Sequence, residues 1–442
     1  MPSGTLPPRR SVPLACRRLH CSHGARVPSS AAAFPATRAA ALARLAAFVP
    51  SAPGYGEARN RVALGHPAVS RLSPAIRHRL ILEAEAAASL LEAHAFPAVE
   101  KCAQEIVWRT YWKGWLELRP QVWTDFKTAV AGLHASLPKA TMQRAADVAA
   151  GRSGVALMDA FARELAATGY LHNHARMWWA SFWIHVERLP WELGADHFRR
   201  HLLDADPAAN TLSWRWVAGL QTPGKTYLVR RSNLAAWCDP ALLADPAGLD
   251  RLDDAVVSAV PLPAVRPPAP APLAELPAAA PADSARSGLW LHEDDTLPEF
   301  GPLAGLRPAS IAAFAATGEP DAELSLPRRA HRAAVRADAC ARAAAAFDCP
   351  AAIDPAVSFA EGFGAWIDSA GLRRVVALAP AVGPVADLLP AARAVAADRG
   401  VELVLVRRAW DRLLFPLARA GFFPFWENVR PRLAAREAAL FS

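Results

Sequence analysis

Between Pro261 and Pro281 the chain places eight prolines among alanines. Proline lacks an amide hydrogen and fixes φ, so this stretch can be neither a helix nor a central strand. It favours an extended polyproline path of about 3.1 Å per residue, up to roughly 65 Å if fully stretched. The chain must therefore fold on either side of a spacer, and the two sides differ in texture.

Upstream, from Ser73 to about Arg230, apolar residues recur three and four positions apart: Ile76 to His94, Val99 to Leu118, Ala156 to Ala167, Asn173 to Glu187 and Trp191 to Leu203. This is helix spacing, and no strand-like alternation interrupts it. Residues 51–240 are expected to form an α-helical unit and residues 241–285 a Pro/Ala-rich linker. Downstream, Gly288–His292, Arg374–Pro380 and Val401–Val406 read as strands, and Arg329–Phe347, Pro384–Asp398 and Trp410–Ala420 as helices. Strand, helix, strand implies a parallel βαβ arrangement, so residues 286–442 predict a smaller α/β unit and the fold as a whole is mainly α. Gly383 and Gly400 stand alone there, without a phosphate-loop pattern.

Inside the helical half, polar residues interrupt the apolar pattern in three places: Thr168-Gly-Tyr-Leu-His-Asn-His-Ala-Arg-Met177, Leu203-Asp-Ala-Asp-Pro-Ala-Ala-Asn210 and Ser213-Trp-Arg-Trp216. His172 or Asn173, Arg176 and Met177 share a helix face, and a buried Arg needs a carboxylate, which Asp204 and Asp206 can supply. These stretches resemble the flavin-binding domain of the DNA photolyase and cryptochrome family, with its Thr-Gly-aromatic-Met-His-Asn-Arg-x-Arg-Met helix, its Ile-Asp-Gly-Asp-Leu-Ala-x-Asn run and its Trp-Gln-Trp. Ser70-Arg-Leu-Ser-Pro74, following Tyr55, and Gln104-Glu-Ile-Val-Trp-Arg-Thr-Tyr111 match two further family motifs in the same order.

The resemblance implies a helical FAD-binding domain, with FAD contacted by Tyr55, Ser70, Arg71, Leu72, Ser73, Arg109, Asn173, Arg176, Asp204, Asp206 and Asn210. By the same likeness Arg176 and Asp204 are the ion pair above the flavin ring, and Asn210 is the amide beside its N5. Glu105, Trp108 and Met177 would face a pyrimidine dimer flipped out of damaged DNA, while Trp191 and Trp214 would relay electrons. Arg59, Arg230 and Arg231 would meet the DNA. Local physics leaves alternatives: Ser73 as a helix cap, Arg109 paired with Glu105 one turn away, and Trp178, Trp179 and Trp183 as core or as spare relay members. The sequence departs from the family at Val69, at Cys102, at Leu212-Ser213, at Arg215, at the empty distal tryptophan position and at Thr226–Asn233. The α/β unit that family members usually carry before the flavin domain is expected here after it, and no motif points to an antenna chromophore. The implied activities are light-driven electron transfer that splits a pyrimidine dimer, or blue-light sensing without repair through the C-terminal module.

A net charge of +8 suggests an anionic partner, but residues 1–56 hold seven Arg and no acid, which leaves the rest near +1. Overall charge is therefore no argument for nucleic acid. Residues 1–50 read as a disordered or weakly structured Arg/Ala-rich leader, as a helical tail near Arg38 to Phe48, or as a targeting peptide. Cys16, His20, Cys21 and His23 lack a second ligand pair, so no metal is expected, and the scattered thiols fit a cytoplasmic protein. No apolar run is long enough for a membrane span. Damaged DNA is the expected partner of a monomer.

Overall fold

The structure, a computed structural model, describes residues 34–222, 225–263, 266–281, 285–355 and 358–441. The Cys16 to His23 group and most of the leader lie outside them. The fold is mainly helical, with a smaller α/β unit after the helical one. No helix among the described residues is long and apolar enough to cross a membrane.

The helical unit is organised around Phe96–Glu117, a 22-residue helix that opens with proline in its first turn, where no amide bond is lost. Gln121–Ser136, Lys139–Ala149, Ala156–Thr168, Asn173–Ser181, Trp191–His201 and Pro207–Val217 pack with it. Two junctions bring the polar motifs together. Ala156–Thr168 ends at Gly169 with φ +71°, where a Cβ would come within 2.6 Å of Leu203, and Leu203 N donates to Gly169 O at 2.8 Å. Asp206 caps Pro207–Val217, accepting from Ala209 N at 2.9 Å.

The α/β unit is a five-stranded parallel sheet in the order β3-β2-β1-β4-β5, with β1 Ser287–Leu291, β2 Ser310–Phe314, β3 Ala351–Asp354, β4 Arg374–Leu378 and β5 Glu402–Val406. All five residues of β1 and of β4 are buried because helices cover both faces. Leu326–Phe347 packs on Leu289, Leu291 and Val376, while Phe359–Ala370 and Leu389–Ala397 pack on Trp290, Val375 and Ala377.

Several boundaries differ from expectation. In the leader, the helical-tail reading is the one met: Arg38–Phe48 is a helix whose Ala41 and Leu45 pack on Leu72, Ile76 and Leu80, and Arg38 pairs with Glu85 at 2.6 Å. The helix expected over Ile76–His94 divides into Ser73–Arg77 and Glu83–Ala93 at Arg79, whose φ is +53°. The Pro/Ala segment is a docked strap and not a free spacer. Leu249 and Leu252 are buried in the helical core, Ala271 N donates to Leu118 O at 2.8 Å, and Arg119 Nε reaches Pro268 O at 2.9 Å. A polyproline backbone leaves its carbonyls free to accept such bonds.

Finally, residues 409–441 do not belong to the α/β unit. Helices Ala409–Leu414, Phe422–Ala434 and Ala438–Phe441 place Trp410, Leu414, Phe422, Phe425, Trp426, Val429, Leu433 and Leu440 in the core of the helical unit. Their apolar spacing reads as helix, but nothing in it says which unit they will cover.

Candidate functional site

Phe96–Glu117, Asn173–Ser181, Pro207–Val217, the segment 69–73 and the returning segment 419–424 surround one open cavity of about 900 Å³, at the upper end of small-molecule sites. Its wall carries Tyr55, Arg59, Ser70, Arg71, Leu72, Ser73, Glu105, Trp108, Arg109, Asn173, Arg176, Met177, Asp204, Asp206, Asn210 and Trp214. Trp191, Arg230 and Arg231 are absent from this wall. Trp191 is buried beside Phe126, with ring centroids 5.8 Å apart, while the ring of Trp214 neighbours Phe198 at 5.1 Å and Trp179 at 6.3 Å. Trp178, Trp179 and Trp183 sit in the packed core. Arg230 and Arg231 bond to Asp254 O and Asp253 at the surface, so part of their charge is already matched.

The polar end of the cavity is built from two ion pairs. Arg176 holds Asp204 through both terminal nitrogens at 3.0 Å and donates from Nε to Leu171 O at 2.8 Å. Burial alone would raise the Asp204 pKa, but Arg176, helped by Arg109 and a hydrogen bond with Ser73, outweighs it and the pKa is lowered. Asp206 accepts from Arg109 at 3.3 Å. Its pKa is lowered too, burial being outweighed by Lys113, Arg109, Arg77 and the Ala209 amide. Arg109 therefore pairs with Asp206, and Glu105 faces Arg59 at 3.5 Å. Ser73 lies just inside its five-residue helix, where Leu72 occupies the cap position.

Other groups are held with a bonding position to spare. Asn210 donates from Nδ2 to Ala195 O at 2.8 Å, which fixes the amide and leaves Oδ1 as an acceptor. Arg71 adopts φ +56°, uncommon for a side chain of its size, and its buried Nε has no hydrogen-bond partner among the described residues. A buried unpaired guanidinium nitrogen is costly, so an anionic ligand would relieve it. Glu105 is 37% exposed, yet enclosed by the cavity walls. Burial there raises its pKa, opposed by Arg59 and Lys101.

The remaining wall is aromatic. Trp108, Trp112 and Trp115 follow helix spacing and all face the cavity; Trp108 belongs to a family motif, while Trp112 and Trp115 are marked in the sequence only by their spacing from it. Phe422 lies on Trp108 with centroids 3.5 Å apart and planes 7° from parallel. Arg419 to Pro424 also line the cavity, and no sequence signal placed this distant segment there.

His172, which caps Asn173–Ser181 by accepting from His174 N at 3.1 Å, makes the site acid-sensitive. Burial, then His66, His174 and Arg176, push its pKa down to about 3. The folded state thus keeps His172 neutral while the unfolded chain, with a pKa near 6.5, takes up a proton. Stability is lost as pH falls from 6.5 toward 3, by about 2 kcal/mol at pH 5 from this group. In urea melts at pH 7 and pH 5, His172→Asn, which retains a capping oxygen, should show a smaller acid loss than the wild type. Equal losses would remove His172 as the cause.

Residues 102–239 match the family model described as the FAD binding domain of DNA photolyase. The chain is 35% identical over 195 residues to a deoxyribodipyrimidine photo-lyase of Thermus thermophilus, covering 42% of this chain and 44% of that one. It is 45% identical over 69 residues to cryptochrome-1 of Arabidopsis thaliana, covering 16% of this chain and 10% of that one. The chain therefore spans less than half the length of the curated relatives it matches. A crystal structure of a bacterial class III photolyase from Agrobacterium tumefaciens superposes with a TM-score of 0.38 at 30% identity, covering 45% of this chain and 42% of that one.

Proposed function

We propose that this chain, whose helical unit carries the FAD-binding domain of the DNA photolyase and cryptochrome family, is a light-driven DNA repair protein acting on pyrimidine dimers. One observation carries the reading: the donors and acceptors suited to FAD and those suited to a nucleobase line the same cavity. The unpartnered Nε of Arg71 and the free acceptor of Asn210 fit a bound dinucleotide. Bound FAD would supply a light-excited electron for cleaving the dimer.

The protein's own residues do the positioning. Arg71, Arg109 and the Ser70 and Ser73 hydroxyls would bind the phosphates, and the Arg176–Asp204 pair would fix the ring position. A dimer must leave the duplex stack to enter, at a cost of a few kcal/mol that is least for damaged bases. Trp108 and Met177 then offer it apolar walls. The Glu105 carboxyl group would hydrogen-bond to the base edge, an interaction that strengthens as negative charge develops there. Trp214 is the proposed route for electrons from the protein interior, with the Trp179 ring 6.3 Å from it.

A second reading is a light-sensing flavoprotein without repair, and the parallel ring of Phe422 on Trp108 favours it because one aromatic face is already occupied. Loss of dimers from irradiated single-stranded and duplex DNA under blue light, with the protein chemically reduced beforehand, separates the two. Repair is expected, and Glu105→Ala should lower its yield roughly tenfold with little change in flavin content. Reduced wild-type protein that neither binds nor repairs such DNA would leave the sensing reading.

A further inference from the structure

In an open parallel sheet, the loops at the carboxyl ends of the strands beside the switch in strand order ordinarily face a bound ligand. Here β1 is that strand, between β2 and β4, and the loop after it is Glu293-Asp294-Asp295-Thr296. It faces Arg77-His78-Arg79 of the helical unit. Asp294 pairs with Arg77 at 2.8 Å and Asp295 with Arg79 at 2.9 Å. His78 Nδ1 meets Glu293 O at 2.8 Å, and Thr296 Oγ1 donates to His78 O at 2.7 Å. All seven residues are buried.

The gripped tripeptide ends the Ser73–Arg77 helix, directly below the cavity segment 69–73. Arg79, held in the left-handed region, is also tied to Asp411 at 2.7 Å and Glu83 at 3.3 Å, and Glu83 holds Lys113. Arg77 and Lys113 are among the cations whose field acts on Asp206, while Ser73 bonds to Asp204. The acidic loop thus stands one side chain, Arg77, away from Asp206.

We infer that the Glu293 to Thr296 loop is a positioning element for the flavin cavity: the α/β unit uses its ligand-facing edge to fix Arg77-His78-Arg79, and through them Arg71, Ser73 and Asp206. The inference rests on the FAD reading of the cavity. It distinguishes this loop from other contacts between the units, such as Asp387 with Trp123 and Lys127, which touch neither the loop, the tripeptide nor the cavity segment.

The experiment is a titration of the full-length protein, freed of flavin, with FAD, reading the dissociation constant and the visible circular dichroism of the bound flavin. Asp294→Asn should weaken binding about tenfold and alter the dichroism, and Asp294→Glu should recover much of both. Asp387→Asn, which weakens the contact with Trp123 and Lys127, should lower the melting temperature while leaving affinity and dichroism as in the wild type. Thr296→Val, which deletes one hydroxyl, should weaken binding in the same direction and serves if Asp294→Asn does not fold. Wild-type affinity and dichroism in Asp294→Asn, or in Thr296→Val where only that variant folds, would overturn the inference. A wild-type protein that takes up no FAD would instead overturn the reading beneath it.

Discussion

Asp204→Ala should purify nearly colourless. Its two oxygens are matched to the two terminal nitrogens of Arg176, and Asp204 is 5% exposed, so the substitution leaves a largely enclosed guanidinium on the cavity wall without its counter-charge. Removing one partner of such a pair costs about 3–5 kcal/mol. Arg176 can escape that cost only by swinging toward solvent, which removes it from the wall, or by drawing in water where a ligand should lie. Either outcome weakens flavin binding by roughly two orders of magnitude or more if most of the penalty falls on the bound state. Flavin absorbance per mole of purified protein is the measurement. Full occupancy in Asp204→Ala would mean that the dinucleotide lies elsewhere, and with it the proposed roles of Arg71 and Asn210.

Ending the chain after Arg408 should be more damaging than any of these single substitutions. The sheet would be intact, yet the helical unit would lose Trp410, Leu414, Phe422, Phe425, Val429 and Leu433, all buried in its core. Each buried side chain of this size is worth about 1.5–3 kcal/mol, against about 5–15 kcal/mol for a whole domain. The truncated protein should lack a cooperative melting transition and bind no FAD. Retention of both would show that the last helices are a surface attachment. The Trp410 indole hydrogen bond to Thr110 at 2.9 Å and the Tyr111 hydroxyl bond to Ala420 O at 2.8 Å argue that they are not.

How legible each part was depended on how local its cause is. Helix spacing marked most of Phe96–Glu117 and Ala156–Thr168 because every residue of an amphipathic helix repeats the same information. β1, β4 and β5 could be read as apolar runs, while the Ala-rich β2 and the four-residue β3 could not. The break at Arg79 was hidden because it depends on Asp295 and Asp411, more than two hundred positions away. The cavity showed the same division. Arg176 and Asp204 are only 28 positions apart, in short motifs that the sequence displays, whereas Phe422 reaches Trp108 only because the chain crosses the sheet and comes back.

That return also orders events during synthesis. The helices from Phe96 to Trp237 leave the ribosome with part of their core exposed, because Trp410 through Leu440 do not yet exist. At about 5–20 residues per second, the missing helices arrive roughly 10–40 s later, after the strap and the whole sheet have been made. By the end of that interval the α/β unit has all its strands while the earlier-made unit remains unfinished, so the usual N-to-C order of domain completion is inverted. A nascent chain arrested before residue 409 should therefore present an apolar groove along Thr110 to Leu116, the natural place for a chaperone to hold it.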